Sequence, residues 1–285
     1  MNCMGALTFF GLMARIAAEA GPADKSQYNL FNPTPRALMR EMVTDRPDRT
    51  ESPYTVDAGH YQLEMDVFSY AVDRYNGVRG DERFEALAIA PINIKAGLLN
   101  NLDVHLVLQP YISLREHNMA ARVVNESRGF GDVIPRLKFN LWGNDGGPTA
   151  LAVMPYIKLP TNTHHVGNNS VEGGVIVPFA VGAPYGFGMG LMTEVDIRRD
   201  AFGDGYHPEF VNTITFGRDI VGQLAGFVEF FSSVSSESGS EWVGTFDLGL
   251  TYMLTPDMQV DTGVFLGVTR SAPDVNPFLG FSWRF

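Results

Sequence analysis

Ionisable residues recur at every second position along much of this 285-residue chain, with apolar residues between them. Glu64 and Asp66, Asp103 and His105, Arg136 and Lys138, and Glu194, Asp196 and Arg198 are each spaced by two, and Lys158, Glu229, Asp247 and Asp261 stand in similar surroundings. In an extended chain residues i and i+2 share a face, so this spacing aligns charge along one side of a strand. Rows of fixed charge can line a wet path and set its ion preference, or they can pair and brace a hydrated interior. Arg136, Lys138 and Lys158 would form a basic ladder opposite an acidic wall of Glu194, Asp196, Glu229, Asp247 and Asp261, suited to an anionic aromatic solute. Glu85, Lys95 and Arg284, and the aromatic residues Phe68, Tyr111, Tyr156, Phe227 and Phe265, fall on the same polar face.

Covalent chemistry finds little support. There is no GxSxG elbow, HExxH pair or P-loop. The string from Gly186 to Gly190 lies inside an alternating stretch with no helix behind it, so its glycines read as positions on the polar face of a strand. His60 and His105 fall on that face and His117, His164, His165 and His207 in loops, without a His-x-Ser neighbourhood; a phospholipase-like enzyme is the weaker alternative. Neither His164-His165 nor Asp200, Asp204 and Gly205 completes a ligand spacing, so no metal, cofactor or catalytic residue is expected. The single cysteine, Cys3, rules out a disulfide framework, and 21 Lys+Arg against 32 Asp+Glu (net −11) disfavours nucleic acid as a partner.

The elements that carry these charges are strands. From residue 58 to the end the pattern has period two, in about twelve segments beginning near residues 59, 84, 102, 131, 149, 173, 186, 209, 221, 242, 258 and 276. Short turns at 100–101, 144–147, 183–185, 218–219 and 255–257 alternate with longer polar loops at 73–83, 115–130, 161–172, 199–207, 232–241 and 269–275. This is the rim asymmetry of a transmembrane up-and-down antiparallel β-barrel. A barrel of twelve strands is too wide for its inward side chains to fill, which assigns the polar face to the lumen and the apolar face to lipid. On that assignment Leu248 is lipid-facing, and Gly249→Ser on the lumen face should be mild. Aromatic residues at strand ends suit headgroup level.

Residues 1–20 read as a signal peptide, with an apolar run at 4–14 and Ala18-Glu19-Ala20 as a cleavage site. Residues 21–57 read as a periplasmic lead-in or partial plug with one short helix, capped by Thr34 and started by Pro35, and residues 58–285 as the barrel. No later apolar run is long enough for a membrane helix.

Three groups of residues carry a family likeness: Thr44-Asp45-Arg46-Pro47-Asp48-Arg49-Thr50-Glu51-Ser52-Pro53-Tyr54 with Val56 to Glu64; Gly129-Phe130-Gly131-Asp132 with Lys138 to Gly143; and Lys158-Leu159-Pro160-Thr161 with Gly167-Asn168 and Val171 to Gly174. Together they resemble the MetA-pathway of phenol degradation family of transporters. The resemblance implies a Gram-negative outer-membrane barrel, found in some cases beside aromatic-degradation genes, and supplies no catalytic residues. Likewise Leu279 to Phe285 resembles the C-terminal signal read by the barrel assembly machinery. The expected function is passive uptake of small molecules, aromatic or hydrophobic ones among them, across the outer membrane; a structural or plugged barrel without transport is the alternative. The expected partners are outer-membrane lipid, the assembly machinery and a small solute.

Overall fold

The computed structural model describes residues 24–76, 82–118 and 121–285, so the signal-peptide reading lies outside the described residues. The strands are β1 (Tyr61–Asn76), β2 (Glu82–Ile89), β3 (Ile92–Leu99), β4 (Leu102–Leu108), β5 (Tyr111–Asn118), β6 (Val123–Gly129), β7 (Ile134–Trp142), β8 (Thr149–Lys158), β9 (Glu172–Gly182), β10 (Gly188–Arg199), β11 (Tyr206–Val221), β12 (Leu224–Ser235), β13 (Val243–Thr255), β14 (Met258–Gly267) and β15 (Val275–Arg284). Three strands of the wall are broken in two: β2–β3 at Ala90-Pro91, β4–β5 at Gln109-Pro110 and β6–β7 at residues 130–133. Proline has no N–H to give the ladder, and Ala90 takes a left-handed φ of 53°. Counting each broken strand once leaves a closed antiparallel barrel of twelve, with no α-helix among the described residues.

Closure is by β1 on β15, in register from Gln62 opposite Arg284 to Val72 opposite Val275. Tyr61 and Phe285 exchange backbone hydrogen bonds of 3.0 and 2.9 Å and stack their rings. One stretch of wall departs from the simple meander. β6 pairs with β5 alone and rises beyond the end of β8. Below it the chain at 159–163 closes the wall, with Leu159 N–H donating to Val133 O (2.9 Å) and Thr163 N–H to Phe130 O (2.9 Å).

The two faces are those of an inside-out protein. Along β13, Phe246, Leu248, Leu250 and Tyr252 are 38–44% exposed, whereas Thr245, Asp247 and Met253 are at most 5% exposed. Apolar side chains on the outside and buried charge on the inside match a wall between hydrocarbon and a hydrated lumen. Tyr61, Trp142, Phe187, Tyr252, Trp283 and Phe285 all lie outward at the short-turn rim, an aromatic girdle at headgroup depth.

Register irregularities reverse some of the face assignments. A bulge between Asp66 and Phe68 places Phe68 opposite Leu279 and Ile89, both on the outer face. Beyond it Glu85 lies opposite Val72, and so on the outer register as well. The break at Pro110 brings Tyr111 opposite Ile89, outward again. Phe68, Tyr111 and Glu85 therefore leave the lumen set, because a slip of one residue inverts a face. Gly249 is lumen-facing, but a Cβ there would come 2.5 Å from the Thr262 carbonyl oxygen and from the Phe227 ring, so the substitution is not mild.

Leu248→Arg puts a charge near mid-bilayer and is expected to cost about 2–4 kcal/mol, and Gly249→Ser about 1–3 kcal/mol through overpacking. Urea titration of the refolded protein in lipid reads both. A tolerated Leu248→Arg would mean that the two faces have been exchanged.

Candidate functional site: a chain segment in the lumen

Residues 24–57 hydrogen bond to inward side chains of strands all round the wall, which is possible only from inside the barrel. The expected Thr34-capped helix is reduced to one 3₁₀ turn, Arg36–Leu38, without a side-chain cap. The backbone that would continue it is engaged elsewhere: Arg40 N–H donates to Asp57 (3.0 Å), and Arg40 O accepts from Arg284 (2.8 Å). These tertiary bonds outweigh a weak local propensity.

At the short-turn rim the segment is latched by charge. Lys25 reaches Asp145 (2.7 Å) and Asp57 (3.2 Å), and Arg40 reaches Asp145 (3.0 Å) and Asn100 (2.9 Å). Asp257, in the β13–β14 turn, is held by Arg284 at 2.7 Å and by Arg36. Burial works against the charge of Asp145, yet hydrogen bonds from Lys25 and Asn100 and the charges of Arg40 and Lys25 hold its carboxyl below the ordinary carboxylate value. Asp257 is lowered in the same way: burial opposes its ionisation, and hydrogen bonds from Arg284 and Arg36 outweigh it.

Further in, the segment neutralises the wall residue by residue. Asp45 lies between Lys95 (2.5 Å) and Lys138 (2.7 Å), and Lys95 also pairs with Glu64. Arg46 bridges Asp66 (2.6 Å) and Asp261 (2.9 Å). Arg136 donates to Glu51 (2.6 Å), and Val56 N–H donates to Asp103 (2.8 Å), whose other oxygen lies 2.9 Å from His105 Nε2. Glu229 accepts from the backbone N–H groups of Arg49 and Thr50 and from the Thr50 hydroxyl, at 2.9–3.2 Å. Close fit accompanies the charge pairing: a Cβ on Gly97 would meet the Asp57 carbonyl, and one on Gly280 the Arg46 guanidinium. Breaking one buried pair strands its partner, at a typical cost of about 3–5 kcal/mol.

Of the residues singled out from sequence, Glu64, Asp66, Asp103, Arg136, Lys138, Glu229, Asp247 and Asp261 contact the segment directly, and His105 reaches it through Asp103 and lies 3.9 Å from Asp45. The free basic ladder does not form. Arg136 and Lys138 are spent on Glu51 and Asp45, while Lys158 pairs with Asp132 (3.1 Å) and Glu172 (3.2 Å). Asp196 binds the Tyr156 hydroxyl and Arg198 (3.3 Å), with Glu194 two residues away on the same strand face, and Arg198 continues to Glu209 (3.0 Å). Sequence reasoning missed Asp45, Arg46, Arg49 and Glu51. Their dense alternation of sign, inside the string that carries the family likeness, was the available signal.

On the long-loop side of these contacts the lumen widens into a cavity of about 730 Å³, lined among others by Glu172, Arg198, Arg199, Asp200, Glu209, Ser233, Ser235, Glu237 and Glu241. At its edge Asp200, His207 and Glu237 bring one ligand atom each within 4.8 Å of one another. They also satisfy one another, His207 Nδ1 lying 2.7 Å from Asp200, and Glu237 accepts from Ala201 N–H (2.6 Å).

Comparison with solved structures shows the same architecture. An outer membrane channel from Pseudomonas putida F1 superposes with a TM-score of 0.61 at 11% identity, over 85% of this chain and 100% of that one. The transport unit of the autotransporter AIDA-I from Escherichia coli gives 0.51 at 9% identity, over 86% and 93%. At these identities the likeness is one of fold. No curated protein sequence matches the chain. The family model described as "Putative MetA-pathway of phenol degradation" matches residues 44–285, from the middle of the lumen segment to the last strand, and the chain belongs to that family.

Proposed function

We propose that the protein is a passive channel in the outer membrane of a Gram-negative bacterium, that residues 24–57 are its gate, and that it takes up small aromatic or hydrophobic compounds without covalent chemistry. The observation that carries this reading is the segment itself. Most of its contacts with the wall are hydrogen bonds or ion pairs that water and solute ions can replace; Arg49 adds contacts with the Phe231 and Phe265 rings, and apolar anchorage is confined to a few places, such as Tyr54 against Ala150 and Ala180. Such a body can be seated firmly and still be exchanged for hydration.

The aromatic side of the proposal rests on the apolar surface of the lumen. Tyr156 and Phe231 pack against a small buried cluster of Met154, Ile176, Met192 and Val211, and Phe265 and Phe278 lie 4.8 Å apart nearer the closing strands. Aromatic faces offer contact to flat rings that an aliphatic sugar cannot use as well. Outer-membrane lipid around the apolar belt and the assembly machinery at the Phe285 strand complete the expected partners.

Liposome swelling tests the preference. Aromatic acids and aromatic amines are expected to enter faster than sugars or glycine of equal or smaller size, and the opposite ranking would remove the aromatic assignment.

The rim latch gives the gate a pH dependence of definite sign. Asp145 and Asp257 titrate below their ordinary value of 3.8, so their hold on the segment is complete above that value and is lost as pH falls through the lowered one. Hydrogen exchange of residues 25–40, corrected for the intrinsic rate, should stay slow from about pH 7 to 5 and quicken only below 3.8. Asp145→Asn with Asp257→Asn should show fast exchange at neutral pH. Unchanged protection in that double variant would show that the latch does not hold the segment.

A further inference from the structure

Arg49 makes an unusual use of its guanidinium. The group lies between two phenyl rings of the wall, 4.4 Å from the centre of Phe231 and 4.3 Å from that of Phe265. Its nearest counter-charge is Asp247, at 3.6 Å from Nε, longer than a hydrogen bond. Asp247 is fully buried, and neither of its carboxylate oxygens accepts a hydrogen bond of standard geometry. The donors nearest to it, the Thr245 hydroxyl, the Leu266 N–H and Arg49, stop short of that geometry, and a buried carboxylate held so loosely has capacity for a closer cationic donor.

The surroundings specify that donor. Glu229, Asp247 and Phe265 stand directly opposite one another on β12, β13 and β14, and Phe231 is the next inward residue above Glu229. Two aromatic faces over two carboxylates form a cage for a cation, since the ring quadrupole and the carboxylates attract the same sign. The nearby cation Arg46 is committed to Asp66 and Asp261. Above the slot, Ser233 and Ser235 continue the inward face of β12 into the 730 Å³ cavity, where five carboxylates, Glu172, Asp200, Glu209, Glu237 and Glu241, outnumber Arg198 and Arg199. An acidic vestibule concentrates cations at its floor. Arg49 keeps 27% of its side chain exposed, so the slot is not sealed.

We propose that the slot between Phe231 and Phe265, floored by Asp247 and Glu229, is a subsite for an organic cation of the alkylammonium, arylammonium or guanidinium class, and that Arg49 occupies it in place of solute while the segment is seated. This rests on the reading of the chain as a gated channel and narrows the solute from aromatic or hydrophobic to one bearing positive charge. It also reverses the sign suggested by the basic ladder, whose charges are already neutralised, Lys138 by Asp45, Arg136 by Glu51 and Lys158 by Asp132 and Glu172.

Chemical rescue tests the subsite without any flux measurement, so its failure is distinct from failure of the gate. Arg49→Ala is prepared in detergent, its barrel verified by heat-modifiable mobility, and titrated calorimetrically with benzylammonium, benzyl alcohol and benzoate. Benzylammonium should bind this variant at least tenfold more tightly than it binds the wild type, and at least tenfold more tightly than the neutral or anionic analogue binds the variant. The gain should vanish in the triple variant Arg49→Ala, Phe231→Ala, Phe265→Ala. Equal binding of the three compounds, no binding, or binding that survives loss of both rings would overturn the proposal. Should Arg49→Ala fail to fold, it is refolded with each compound. Recovery of the barrel with benzylammonium and not with benzoate supports the subsite, and recovery with neither contradicts it.

Discussion

Two lysines that have almost no contact with solvent, Lys95 and Lys138, share one carboxylate that comes from outside the wall, and among the described residues the wall itself adds only Glu64, beside Lys95. Asp45 lies within 2.5–2.7 Å of both ammonium groups. A closed sheet of twelve strands encloses more space than its inward side chains can fill, so either water or another piece of chain must solvate the charges that line it. Here the chain's own N-terminal segment does so. The course of residues 24–57, the small or absent side chains where they touch the wall, and the surplus of acid on the far side of the lumen all follow from that requirement.

The arrangement divides the interior along its length. At the short-turn rim the bonds are numerous and charged, and the segment is latched to the turns at Asn100, Asp145 and Asp257 and to Arg284 at the end of β15. In the middle, acid from the segment meets base from the wall near Lys95, Lys138 and Arg136, while base from the segment meets acid near Asp66, Asp247 and Asp261. Toward the long loops the segment is absent and an acidic cavity remains. From that side the aromatic residues and Arg49 lie before the latch, so on the proposed reading recognition and release fall at different depths.

Much of this architecture was legible in the sequence because the two faces of each strand differ so sharply in chemistry. Strand number, rim asymmetry and the assignment of Leu248 outward and Asp247 inward all follow from period two and turn spacing. What escaped were departures from periodicity. The bulge near Phe68 and the break at Pro110 each shift phase by one residue; nothing in the local pattern marks the first, and Pro110 marks an interruption of the ladder without giving the change of phase. The lumen segment was hidden for another reason. Asp45, Arg46, Arg49 and Glu51 look like an ordinary solvated stretch, since the partners that bury them, such as Asp247 and Asp261, lie some two hundred residues further along. Gly249 shows the same limit at the scale of one atom: alternation gives the direction in which a residue points and not the distance to the next backbone.

If the segment is the gate, fastening it to the wall must stop transport. The hydroxyls of Thr50 and Thr213 lie 2.6 Å apart, one on the segment and one on β11, close enough for a cysteine pair to be joined. In a Cys3→Ser background, the Thr50→Cys, Thr213→Cys protein reconstituted in liposomes should admit aromatic amines when reduced and exclude them when oxidised, with flux returning on addition of reductant. Equal flux in the two states, with the disulfide verified, would contradict the account and leave the segment as permanent filling of the lumen.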